Sequence, residues 1–227
     1  MKTFNLLYLF LVLTFFSCKK QNTSPSLSTD DTSNVTLADG TTCTEHFYFY
    51  ENKKKVLGTV STSAVIIGFV PGLEAAEKEK FLASHSTYIK GKDAYQTLDY
   101  TSPEIIELQP DLSCAQVEEL LGLLKQSSLV RYANPTFIVS EGFRGIGGHF
   151  IVTLTEKANY QQLESLTKRT KTRIVEEISP DLKIYLLEAD KDSDGNALEM
   201  ANYFHKHEYI AHAEPDFVLQ PSPIGTW

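Results

Sequence analysis

Val117, Leu120, Leu121 and Leu124 recur at the spacing i, i+3, i+4, i+7, which places four apolar side chains on one face of a helix. Ala197, Met200, Ala201 and Phe204 repeat the spacing 80 residues later. After each helix comes the same phrase at the same offset. It reads Leu-Val-Arg-Tyr-Ala-Asn-Pro-Thr-Phe-Ile-Val at residues 129 to 139 and Tyr-Ile-Ala-His-Ala-Glu-Pro-Asp-Phe-Val-Leu at 209 to 219, so Ala133, Pro135 and Phe137 correspond to Ala213, Pro215 and Phe217. A proline has no amide to give a ladder, so this closing strand is predicted to lie at an edge or bend at a bulge.

Upstream elements correspond as well. Apolar runs at residues 64 to 70 and 149 to 155 predict strands, each followed by a helix, at 73 to 84 and 157 to 168; Tyr160, Leu163 and Leu166 stripe the second helix. Strands are then expected at 95 to 100 and 105 to 108 in the first copy, and at 172 to 178 and 184 to 187 in the second. Each copy reads strand, helix, strand, strand, helix, strand. The predicted fold class is therefore α+β, with two tandem ferredoxin-like (βαββαβ) units built on antiparallel sheets. A β-hairpin, residues 47 to 50 and 55 to 60 turning through Asn52 and Lys53, precedes the first unit. Gly142, Gly145, Gly147 and Gly148 read as a flexible joint, with the boundary near residue 143.

The amino terminus changes the picture of where the chain works. Met1 and Lys2 lead into an apolar run from Phe4 to Phe16, too short to span a bilayer and of the length of a signal-peptide core. It ends in Phe15-Phe16-Ser17-Cys18, which resembles a lipobox. That resemblance implies cleavage after residue 17, lipid on Cys18, and attachment to a bacterial membrane of the cell envelope, the outer membrane being expected, facing the periplasm or the exterior. The alternative is an ordinary signal peptide cut near Ser17. Residues 18 to 44 are rich in Ser, Thr, Asp and Asn and read as a flexible tether. The first unit with its hairpin then spans 45 to 142, the second 143 to 220, and a tail 221 to 227.

Net charge is −8, and removal of Lys2 with the leader makes the chain more acidic, so nucleic acid is an unexpected partner. Beyond Cys18 only Cys43 and Cys114 remain. In an oxidising compartment they could pair, but nothing in the sequence places them side by side.

Chemistry-bearing patterns are few. Asp190-Lys-Asp192-Ser-Asp194-Gly195 copies the first half of a calcium loop, yet the closing twelfth position is Ala201 on an apolar helix face; a loop and helix start, with Asp194 near the N-terminus, is expected instead. His205, His207 and His212 lack a carboxylate at ligand spacing and are expected on the surface near a helix end, with no metal and no cofactor. The aromatic run 47 to 50 reads as a strand with two covered faces.

The phrase Ala213-Glu-Pro-Asp-Phe217 after a helix resembles the end of the N-terminal propeptides of subtilisin-like serine proteases, and the aromatic hairpin is similar to the leader before such prodomains; the resemblance covers residues 46 to 220. No Asp, His-Gly-Thr and Gly-Thr-Ser-Met-Ala set of a catalytic domain follows, so the chain is expected to be no enzyme. The resemblance implies a protein that binds, inhibits or helps fold a subtilisin-like serine protease. Pro215 and Phe217 on the last strand would be partner-binding residues, and so would Gln220, Ile224 and Trp227 of the tail, laid in the substrate cleft by strand addition with Trp227 nearest the nucleophile. Pro221 and Pro223 oppose such pairing. A general envelope binding module and an inactive remnant of a protease precursor are the alternatives.

Overall fold

The run Ala64–Phe69, without a polar side chain, forms β4, and both of its faces are covered. Val65 and Ile67 enter the large core beneath the helices, while Ala64 and Ile66 enter a second cluster on the opposite face with Ile105 and Tyr132. Covering on both faces is what removes the usual alternation from a strand.

A computed structural model of the chain describes residues 33–38, 40–92, 103–139 and 142–220. Among them are eleven strands and four helices, an α+β chain whose strands pair antiparallel. An N-terminal sheet holds β1 (Ser33–Thr36), β2 (Thr42–Tyr50) and β3 (Lys53–Gly58). The first copy continues from β4 through α1 (Ala75–Ala83), β5 (Ile89–Lys92), β6 (Glu104–Leu108) and α2 (Cys114–Lys125) to β7 (Val130–Val139). The second holds β8 (Gly142–Leu154), α3 (Tyr160–Thr170), β9 (Arg173–Ser179), β10 (Ile184–Glu188), α4 (Ala197–His205) and β11 (Ile210–Gln220).

Strand pairing is the same in both copies. In the first the order across the sheet is β7, β4, β6, β5; in the second it is β11, β8, β10, β9. The opening of β8 also pairs with the end of β7, Thr136 opposite Gly145 and Val139 opposite Gly142, so the two copies share one eight-stranded sheet.

Local chemistry sets the helix starts. Ser113 with Gln116, Asn159 with Gln162 and Asn196 with Glu199 form reciprocal capping boxes at α2, α3 and α4, satisfying amides that have no partner within the helix. The cap of α4 is thus Asn196, whereas Asp194 pairs with Lys171 at 2.6 Å. No side chain caps α1 at Glu74, and Leu82 is its one buried residue.

Three expectations need correction. The hairpin turns through Glu51 and Asn52, both at positive φ (47° and 59°), the signature of a type I′ turn that matches strand twist, so Lys53 belongs to β3. Part of the expected tether forms β1 and the start of β2, because backbone pairing of Val35 with Cys43 and Thr36 with Thr42 needs no apolar burial. The glycine-rich stretch is strand β8: a Cβ at Gly145 would stand 2.8 Å from the Ile66 side chain and one at Gly148 would stand 2.5 Å from the Tyr132 ring, so these glycines serve close approach. In the first copy β5 lies at Ile89–Lys92. The strand expected at 95 to 100 falls outside the described residues, as do the leader, Cys18, Ile224 and Trp227.

Candidate binding site

The closing phrase of each copy becomes its last strand, β7 and β11, and each proline marks an irregularity. Pro135 faces Val65 of β4, and from Thr136 onward the strand pairs with β8 instead. Pro215 faces Phe150, and the register of β11 shifts between Pro215 and Phe217. A residue without an amide sits where the ladder breaks, as the sequence predicts.

Pro215 is buried and Phe217 half-buried. Phe217 is covered by the N-terminal hairpin: its ring meets Tyr48 edge to face at 5.0 Å, and the Arg144 guanidinium lies 5.4 Å from its centroid. Arg144 also donates to the Tyr48 hydroxyl at 2.9 Å. β11 ends at Gln220, whose backbone lies opposite Phe143 near the start of β8. Of the residues expected to contact a partner, the structure therefore brings Phe217 against the N-terminal hairpin, while Pro215 pairs with Phe150 and the backbone of Gln220 lies opposite Phe143.

The hairpin touches both copies. Toward the second, the Asn202 side chain of α4 donates to the Phe47 carbonyl at 2.8 Å, and Phe49 stacks on His205 at 4.3 Å and 13°. Toward the first, His46 meets Phe137 at 5.2 Å, and Cys43 is joined to Cys114 at the start of α2 by a disulfide across a Cα separation of 5.9 Å. Alternation along residues 47 to 50 allows this, because Phe47 and Phe49 face one way while Tyr48 and Tyr50 face the other. Phe47 is buried, Tyr48 and Phe49 half-buried and Tyr50 exposed, so the two covered faces expected from the sequence end before the turn.

Burial governs the electrostatics of this seam. It lowers the His46 pKa against the opposing pull of Glu199 and Glu118, and lowers that of His205, with His212 adding in the same direction. Glu214, which lines a cleft of about 220 Å³ with Phe49, His205 and His212, is pushed up by burial. His207 corrects an expectation: it is buried at 7% exposure between Tyr203 and Tyr209, and desolvation with nearby Arg169 brings its pKa down to about 4. An apolar pocket disfavours the imidazolium whatever the neighbouring helix end offers.

The aspartate loop satisfies itself. Asp190 accepts from the Asp192 amide at 2.9 Å, and Ser193 donates to the Lys171 carbonyl at 2.9 Å. Among the described residues no three His, Cys, Asp or Glu side chains are grouped to hold a metal ion, and no helix is long and apolar enough to cross a membrane. What the seam offers chemically is aromatic contact, hydrogen bonding and a strand end. Compared with known proteins, the chain matches no family model, no curated protein and no solved structure.

Proposed function

We propose that the chain is a non-catalytic, membrane-anchored lipoprotein of the cell envelope, resembling a subtilisin-like protease propeptide, that binds and inhibits such a protease or assists its folding. Each copy is then one ferredoxin-like unit. The strand order β7, β4, β6, β5, repeated as β11, β8, β10, β9, supports that assignment. The observation that carries the reading is the placement of the propeptide-like phrase. It forms the last strand β11, which ends at Gln220 at the margin of the sheet, where residues 221 to 227 would lead into a substrate cleft.

In this reading Pro215 and Phe217 anchor the strand from which the tail departs, Phe217 through Tyr48 and Arg144, and the tail makes the contact. The anchor matters because a rigid strand end reduces the ordering entropy of a bound tail.

The test is inhibition of a panel of subtilisin-like proteases by the chain from residue 19, which keeps Cys43 for its disulfide, beside the same chain stopped at Leu219. Inhibition that disappears with the tail is the expected result. Absence of inhibition across the panel, or digestion of the folded chain by every member, would overturn the reading and leave a general binding module in its place.

A further inference from the structure

The N-terminal sheet ends in β3, and among the described residues no strand pairs with its outer edge. Beside that edge is a groove of about 600 Å³, walled on the other side by the end of β7 and the start of β8. Its apolar lining includes Val56, Ile138 and Val139, of which Val56 is 56% and Ile138 64% exposed. Among the described residues its charged lining is Lys55 and Arg144, both cations, in a chain of net charge −8. Lys53 and Lys55 lie on the same face of the hairpin as Tyr50 and Tyr48, their register partners.

An open edge, an apolar wall and the cationic face that Lys53 and Lys55 give the hairpin together describe a slot for an added strand. Lysine on an edge strand is also a common guard against unwanted pairing, and it discriminates by charge. A second copy of β3 laid parallel and in register against the first would bring Lys53, Lys54 and Lys55 near their equivalents, which is destabilising across strands. An acidic strand meets no such repulsion. The geometry points to this groove as a docking site for an extended peptide segment that alternates acidic and apolar residues, held by backbone hydrogen bonds to β3, by Lys55, and by apolar contact with Val56 and Ile138. The site is separate from the tail and does not depend on the protease reading.

The probe is a fluorescein-labelled peptide of alternating valine and glutamate, about nine residues long to match a typical strand, beside a counterpart with lysine for glutamate. Fluorescence anisotropy is measured on the full chain in mild detergent, and hydrogen exchange locates the bound peptide. Expected are saturable binding of the acidic peptide alone and slowed exchange at residues 53 to 58. Lys55→Glu should weaken binding about fivefold, the size of one cross-strand charge contact. Ile138→Ser, a change at an exposed position that leaves the core untouched, should weaken it as well. The inference is overturned if the two peptides bind alike, if neither binds, if Lys55→Glu has no effect while the variant's far-ultraviolet circular dichroism is unchanged, or if exchange slows elsewhere. It is also overturned if binding emerges only after residues 221 to 227 are removed, which would make the tail the occupant.

Discussion

The ring of Tyr132 on β7 lies against Gly148 of β8, so close that a Cβ there would stand 2.5 Å away. The same ring covers Gly68, its register partner on β4, where an added Cβ would stand 2.3 Å away. One tyrosine ring therefore packs against a glycine of its own copy and a glycine of the next. Gly148→Ala should lower stability by about 1–3 kcal/mol through overpacking, measured by urea unfolding. Gly122→Ala is the control, since nothing lies within 4 Å of a Cβ at that exposed site in α2. It should raise stability by up to about 1 kcal/mol.

Removing the Cys43–Cys114 link by Cys43→Ala with Cys114→Ala should lower stability by about 4 kcal/mol, the chain-entropy value for a loop this long. The hairpin should also become accessible to protease near the turn at Glu51 and Asn52 while the repeated units remain folded. A double variant as stable as the parent would show that the aromatic contacts alone hold the hairpin.

Glu188 of β10 is 4% exposed and pairs with two arginines, Arg131 of β7 and Arg173 of β9. Its neutral isostere keeps the shape and removes the charge that both arginines face. Because Arg173 is largely exposed and Arg131 partly so, the effect of Glu188→Gln should fall below that of a fully buried pair, at about 2 kcal/mol. The readout is the shift in denaturation midpoint at constant slope.

Acid should unfold the chain earlier than its carboxylates alone require. His207 has a folded pKa of about 4 against an unfolded value near 6.5, so the unfolded chain binds the proton first. Stability is then intact above the unfolded value and falls as pH drops from about 6.5 toward about 4, by roughly 3 kcal/mol for this group. His46, His149 and His205 are shifted the same way by burial and add to the slope; Glu214, shifted upward, opposes it at the acidic end of the range. His207→Phe should flatten the curve across that window in chemical unfolding followed by pH.

Much of the arrangement is legible from periodicity. The helices α2 and α4, the paired closing strands and the break at each proline follow from apolar spacing and from the missing proline amide, because these features are local. The disulfide, the burial of His207 and the covering of Phe217 by Tyr48 are not legible. The disulfide joins residues 71 apart and Phe217 meets a hairpin more than a hundred residues earlier, distances to which pattern within a window has no access. His207 is buried by Tyr203 and Tyr209, which spacing alone does not fold over it. The glycines illustrate a physical ambiguity: chain freedom and room for a neighbour's side chain call for the same residue, and the positions of Ile66 and Tyr132 separate the two.

β8 is hydrogen-bonded to three strands, β7 at its beginning, β10 at its end and β11 along most of its length. Backbone pairing thus runs without interruption from one repeat to the other, and pulling either copy away would strip ladder bonds from a strand the other one uses. The duplicated halves consequently melt as one: calorimetry should give a single transition whose van't Hoff enthalpy equals the calorimetric enthalpy of the whole folded region. A copy expressed by itself would expose the apolar ledge formed by Ala64, Ile66, Ile105 and Tyr132 or lose its cover, so inheritance of the two repeats as an inseparable pair follows from one shared strand.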